Sequence, residues 1–372
     1  MNYPKAILLS LALLAMHSLN AEVVTYPAGV GVKTLNDFSV EVRQGSGPWL
    51  PVDVYPVKVD MVDEKGHNVE VASIAYFDFD GMVDVRVISN KERVNSVRVR
   101  PLSYKITPDC VGDTVTFSLS RPRNLSVEVN GDIFHNLHLF ANPIDKFRPS
   151  DKEIQRALKK KKGSNLIYFG PGVHNLPNDT LFVPSGTTVY IDGGARVYGN
   201  IFTEGAHDVN IFGRGEVHPD GRGAGVWVRR SKNVRIDGIV VSQLPIGQCD
   251  SVELTNVKSI SYYGWGDGMD VFSSSNVILD GVFCRNSDDC AAVYASTQGF
   301  KGGSNNVLVK NATLWADVAH PINIGGHGDP NGMDTVQNVT FRNIDILDQA
   351  EKQIDYQGCL AINPGDNTLV RN

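Results

Sequence analysis

A chain of 372 residues with 42% hydrophobic content carries enough apolar material for more than one cored domain. Its formal net charge of −6 offers no basic field to nucleic acid and excludes that class of partner. Five cysteines leave one unpaired and show no CxxC spacing, so Cys284 and Cys290 are expected as small apolar residues of a β core rather than as a disulfide.

Lys5, the apolar run Ala6 to Ala15 and then Leu19-Asn20-Ala21 predict a cleavable signal peptide over residues 1–21, too short to span a bilayer. The expectation is a secreted or periplasmic monomer without a membrane span. From 22 to 145 period-two runs such as Phe38-Ser-Val-Glu-Val42 and Val83-Asp-Val-Arg-Val87 are broken by Gly and Pro, which predicts a small antiparallel β-sandwich. Over 146–163 the period becomes helical, with Ile154, Ala157 and Leu158 on one face. Ser150 and Glu153 fit a capping box, and Lys159 to Lys162 suit the helix C-terminus. This helix is expected to cap the open end of the domain that follows, since a solenoid exposes apolar surface where its stack stops.

Residues 164–372 repeat. Val234, Ile236, Ile239 and Val241 set a V-x-I-x-x-I-x-V pattern that recurs at Val277, Val307 and Val339, with a weaker copy at Val252. Asp237-Gly238, Asn256, Asp280-Gly281, Asn311 and Asn343 stand at the bends, where left-handed backbone is easily adopted. Copy starts advance by 18, 25, 30 and 32 residues, too regular for chance and too loose for a leucine-rich repeat or a propeller. Coils of a parallel β-helix joined by loops of variable length satisfy both facts, so the expected fold is all-β, a parallel β-helix after the sandwich. Thr368 to Asn372 match the first half of a copy, which suggests a native chain that continues beyond this point.

The segment from Trp265 to Cys290 holds Asp267, Asp270, Asp288 and Asp289. Asp267 and Asp288 are 21 residues apart, about one rung, which would set them one above the other at ~4.8 Å. Three carboxylates on one patch push at least one pKa upward, the requirement for an acid and a base at the same pH.

Gly266-Asp267-Gly268-Met269-Asp270, Ser287-Asp288-Asp289-Cys290 and Gly326-His327-Gly328, in this order, resemble the motif series of the polygalacturonase-type glycoside hydrolases, which fold as right-handed single-stranded β-helices. The resemblance implies an exported, inverting hydrolase of a pectic polysaccharide that needs no cofactor or metal. Asp288 would be the general acid, Asp267 and Asp289 would hold and deprotonate water, and His327 would tune protonation from the acidic cluster or the substrate. Trp265, Gly326, Gly328, His320 and Lys352 are candidate substrate contacts, and Asp270 is expected to be structural. Two departures stand out. Trp265-Gly266 replaces the family's Asn-Thr, and Gly358-Cys-Leu-Ala-Ile362 lies where a carboxylate-binding Arg-Ile-Lys is expected. Lys352, Arg229, Arg230 or Lys301 could supply charge from other coils, although nothing in the spacing demands it. The dextranases, with a sandwich before the β-helix, are also similar through Trp315 to Ile324, which keeps a neutral glucan open. A calcium-dependent pectate-lyase-like elimination and a non-catalytic glycan-binding role are further alternatives.

Overall fold

The computed structural model describes residues 22–159, 163–219, 221–351, 354 and 358–372. The candidate leader 1–21, Lys160 to Lys162 and Lys352 lie outside the described residues.

The first domain is a sandwich of two sheets. One contains Val54–Asp63, Gly66–Phe79, Arg123–Val129 and Leu137–Pro143; the other contains Phe38–Arg43, Val83–Ser89 and Thr114–Leu119. The alternation read from the sequence is what buries it: Phe38, Val40 and Val42 from one strand meet Val83, Val85 and Val87 in a common core. The expectation of a purely antiparallel sandwich needs one correction, because Leu137–Pro143 runs parallel to Gly66–Phe79. Between those two strands the chain crosses to the second sheet and returns, so they are joined by a crossover rather than a hairpin, and a crossover permits parallel pairing.

The helix Asp151–Leu158 starts at a capping box in which the Ser150 hydroxyl accepts from the Glu153 N–H and the Glu153 carboxylate accepts from the Ser150 N–H. It is two turns long, so its apolar face is narrower than the sequence suggests. Ile154 is buried, whereas Leu158 is 57% exposed.

From Leu166 onward the described residues form a parallel sheet of 21 strands that winds as a β-helix. Each repeat position stacks on its counterpart: Val209, Val234, Val252, Val277, Val307 and Val339 follow one another in register, and the stack is the core of the domain. Each bend singled out by composition holds one residue of positive φ: Gly238 at 86°, Asn256 at 54°, Gly281 at 66°, Asn311 at 54° and Asn343 at 56°. Asparagine at these corners also bonds along the stack, as in Asn343 Nδ2 to Asn311 Oδ1 at 2.7 Å and Asn311 Nδ2 to Asp280 Oδ1 at 2.7 Å. The five cysteines are free thiols, with Cys249, Cys284 and Cys290 buried in the coil core.

The sandwich lies along one flank of the coils. Tyr55, Val57, Ile74 and Phe140 bury against Val240, Ile260 and Phe283. Within this apolar seam sit buried cations: Arg214 Nε binds Asp78 at 2.8 Å, and Arg285 Nε binds Asp317 at 2.9 Å while its Nη1 donates to the Ile133 carbonyl at 2.8 Å. Among the described residues no helix is long and apolar enough to cross a membrane.

Candidate active site

Three successive coils turn the same corner, and each turn delivers part of one acidic cluster. Asp267 lies between the strands Lys258–Ile260 and Val271–Phe272, Asp288 and Asp289 between Phe283–Asn286 and Ala291–Tyr294, and His320 between Ser304–Ala316 and Ile322–Ile324. Backbone bonds tie the corners together: the Gly268 N–H donates to the Asp289 carbonyl at 2.8 Å, and the Cys290 N–H to the His320 carbonyl at 2.9 Å. Gly268 is glycine because a Cβ there would overlap the Cys290 carbonyl below it.

The result is that one carboxylate oxygen from each of Asp267, Asp288 and Asp289 falls within 4.8 Å of the other two. They face a groove of about 680 Å³ that is also lined by Trp265, Asp270, Phe272, Tyr294, His320, Asn323, Gly326, His327 and Glu351.

The carboxyls differ in their surroundings. Asp289 is desolvated, yet it is held below the usual carboxylate range because donors surround it: the His320 N–H and ring Nδ1 reach Oδ1, each at 3.0 Å, and Tyr294 Oη and Asn323 Nδ2 reach Oδ2. Four donors on two oxygens use up its lone pairs. Asp288 is pushed up to about 6 by burial and by the charge of Asp289, and its Oδ1 accepts the Asp289 N–H at 2.9 Å. Asp267 is likewise raised, first by burial and then by Asp288 and Asp289. Asp270 is buried beneath the pair, accepts the Ala292 N–H at 3.1 Å, and is raised by burial and by Asp267 and Asp289. A fixed charge on Asp289 thus favours a proton on the Asp267–Asp288 pair.

With the geometry in place, residues 220–352 match the family model described as "Glycosyl hydrolases family 28". Over that segment the chain is similar to that family. It is 24% identical over 206 residues to the exopolygalacturonase of Cochliobolus carbonum, covering 48% of this chain and 44% of that one. It is 28% identical over 197 residues to a probable exopolygalacturonase X of Aspergillus fumigatus, covering 48% and 41%. The chain spans less than half the length of the curated relatives it matches. Among solved structures, Dex49A from Penicillium minioluteum has a TM-score of 0.44 at 12% identity, with 94% and 96% of the two chains covered. The family 28 exopolygalacturonase of Yersinia enterocolitica has a TM-score of 0.40 at 12% identity, with 73% and 75% covered.

The expected site residues divide into those the corner brings together and those it does not. Asp267, Asp288 and Asp289 converge. Trp265 stands at the rim, 80% exposed with φ 59°, and Gly326 lies beside the Tyr294 ring, which a Cβ would crowd. His320, expected at the substrate, is turned onto Asp289. His327, expected to bond within the acidic cluster or to substrate, lines the groove but sets its Nδ1 3.3 Å from Asp366 and packs edge-on against Tyr294 at 5.0 Å. The histidine bonded to the cluster is therefore His320, because the corner of the next coil places it one rung from Asp289 while Gly326-His327 lies past the following strand. Gly328 serves packing: a Cβ there would overlap Thr368, and the residue does not line the groove. Lys352 falls outside the described residues.

Tyr294 and Asn323 escaped the sequence reasoning. Asn323 was visible only as part of Trp315 to Ile324, and Tyr294 is five residues past Asp289 in an ordinary-looking apolar strand. Their shared task needs the parallel pairing that sets Ala292 against Asn323.

Proposed function

We propose that this chain hydrolyses a glycosidic bond of a pectic polysaccharide, with galacturonan as the first substrate, and that it works as an exported monomer. The observation that supports this most is a carboxylate pair in an open groove, raised together beside a third carboxylate that is locked as a charge. Asp288 gives its proton to the departing glycosidic oxygen, and Asp267, whose side chain faces the groove, takes one from the attacking water. Asp289 is saturated by donors and so acts as the fixed charge that keeps one proton on its neighbours and stabilises positive charge at the anomeric carbon. His320, Tyr294 and Asn323 position it. The pectic assignment follows the relatives, which are exopolygalacturonases.

We place the water at Asp267, with inversion as the outcome. The oxygens lie within 4.8 Å, closer than the ~6.5–9.5 Å that usually separates the carboxyls of inverting enzymes, so the water sits beside the triad rather than in a wide gap. Proton NMR of the first product anomer tests this; retention of configuration would instead make Asp267 a nucleophile.

Calcium fits the cluster poorly. Calcium takes ~6–8 oxygen ligands, and the four donors on Asp289 leave only Asp267 and Asp288 open among the three. Release of reducing ends from galacturonan should therefore persist in excess EDTA, and a calcium-dependent unsaturated product would overturn hydrolysis. A neutral glucan is the second reading, favoured by the strand Leu360–Ile362, which pairs with Ile322–Ile324 and places no cation beside the groove. Parallel assays on galacturonan, rhamnogalacturonan and dextran separate the two.

The pH profile follows from the same groups. The acid must be protonated, so the rate should fall as pH rises through about 6, tenfold per unit beyond it. At the other side the base must be ionised, so the rate falls again once acid protonates the cluster. A plateau extending unchanged to pH 8 would remove Asp288 from the acid role.

A further inference from the structure

Many outward positions of these coils are polar, but one solvent-facing column is aromatic. Phe182, Phe202 and Trp227 occupy the same outward position on three successive coils, paired in register. Their rings stack nearly parallel, with centroids 5.4 Å and 6.5 Å apart. Phe182 is 64% exposed, so the column presents aromatic faces to solvent where no fold requirement calls for them.

Two residues further along the same strands, a second column runs Glu204, Arg229, Gly247, Phe272, Tyr294, again in continuous register. It ends on the tyrosine that donates to Asp289. The one position without a side chain, Gly247, is covered by the ring of Phe300, which a Cβ there would overlap. Phe300 stacks on Phe272 at 6.3 Å, and the Arg230 guanidinium lies 5.0 Å from the Phe300 centroid. The rings thus run from Phe182 to the acidic cluster, exposed at Phe182 and buried at Phe300, Phe272 and Tyr294, where Trp227 packs against them and Phe272 and Tyr294 line the groove. Five rung spacings of ~4.8 Å make this about 24 Å.

The charge along the track is unbalanced. Glu204 is shared by Arg229 Nε at 3.0 Å and Arg230 Nη1 at 3.1 Å, two guanidiniums on one carboxylate. One positive charge is left over, on side chains that are about a third exposed or more.

We propose that this track binds a distal stretch of an acidic glycan chain, several sugar units from the bond being cut. The aromatic faces would take the apolar faces of sugar rings, and Arg229 and Arg230 a sugar carboxylate. The identity of the chain rests on the hydrolase assignment above; the track itself rests on the stacked rings and the excess cation. It also supplies a recognition charge that the Leu360–Ile362 strand does not, at a different place on the molecule.

The test uses the Asp288→Asn protein, which should not cut what it binds. Calorimetry with polymeric galacturonan, trigalacturonate and dextran gives three affinities. Adding Phe182→Ala or Arg230→Gln should weaken polymer binding about threefold to tenfold each. Trigalacturonate, too short to reach Phe182 from the carboxylates, should bind these variants within about twofold of the parent. Unchanged melting temperatures exclude misfolding; Phe182 is largely exposed and leaves no cavity when truncated. Polymer binding within twofold of the parent in both variants would overturn the track, and dextran binding as tightly as galacturonan would overturn its acidic specificity. If the variants lose polymer binding but the unsubstituted protein releases no reducing ends, the track stands and the hydrolase assignment falls; reducing ends with unchanged binding give the reverse.

Discussion

Asp288→Asn should lower the rate of glycosidic bond cleavage by about 10²–10⁴-fold while leaving the fold intact. The amide cannot supply the proton that the departing oxygen needs. Structurally the change is mild, because the Asp288 carboxyl makes one backbone bond, to the Asp289 N–H at 2.9 Å, and the carbonyl oxygen of asparagine accepts it equally well. The substitution also removes an acidic neighbour, Asp288, that raises Asp267. Asp267 should then ionise at lower pH, so any residual activity should lose the fall through about pH 6. Reducing-end assays across pH, with circular dichroism as the check on folding, measure both effects. Activity within threefold of the parent would end the assignment of Asp288 as the acid.

The second large effect concerns the flank rather than the groove. Arg214→Ala should destabilise the protein by about 3–5 kcal/mol, as expected when one partner of a buried ion pair is removed. Arg214 is buried in the seam between sandwich and coils, where it binds Asp78, lies 3.2 Å from Asp237 and donates to the Pro143 carbonyl at 2.9 Å. Without it, Asp78 stays buried with the Tyr26 hydroxyl, at 2.9 Å, donating to its carboxylate. Denaturant unfolding of the variant measures the cost. Replacing both partners, as Asp78→Leu with Arg214→Met, should recover a good part of it, since the seam around them is already apolar. A loss below 1 kcal/mol for the single variant would mean that the sandwich is not anchored to the coils through this cluster.

Both predictions rest on features that differ in how far the sequence reveals them. The coils were legible because their demands are local. A β-helix rung needs two apolar residues per short strand and a left-handed residue at the bend, and both leave marks a few positions apart, as Val277, Leu279 and Gly281 do. The cluster was legible for the same reason: Asp267 and Asp288 differ by one coil length, so stacking alone brings them together. The roles of the two histidines were not. His320 and His327 are seven residues apart and both lie near glycine or loop sequence, and only the corner geometry decides which one meets Asp289.

What the sequence determined by itself, then, is the repeat, its bends and the order in which the acidic residues arrive. The tertiary structure alone decided that Asp289 would be saturated by His320, Tyr294 and Asn323, that Arg214 would meet Asp78 136 residues away, and that Phe182, Phe202 and Trp227 would share one column. The physical reason is common to all three. Coil loops of unequal length set which outward side chains come into register, and a long-range ion pair has no local period, so neither outcome is encoded in the spacing of neighbours along the chain.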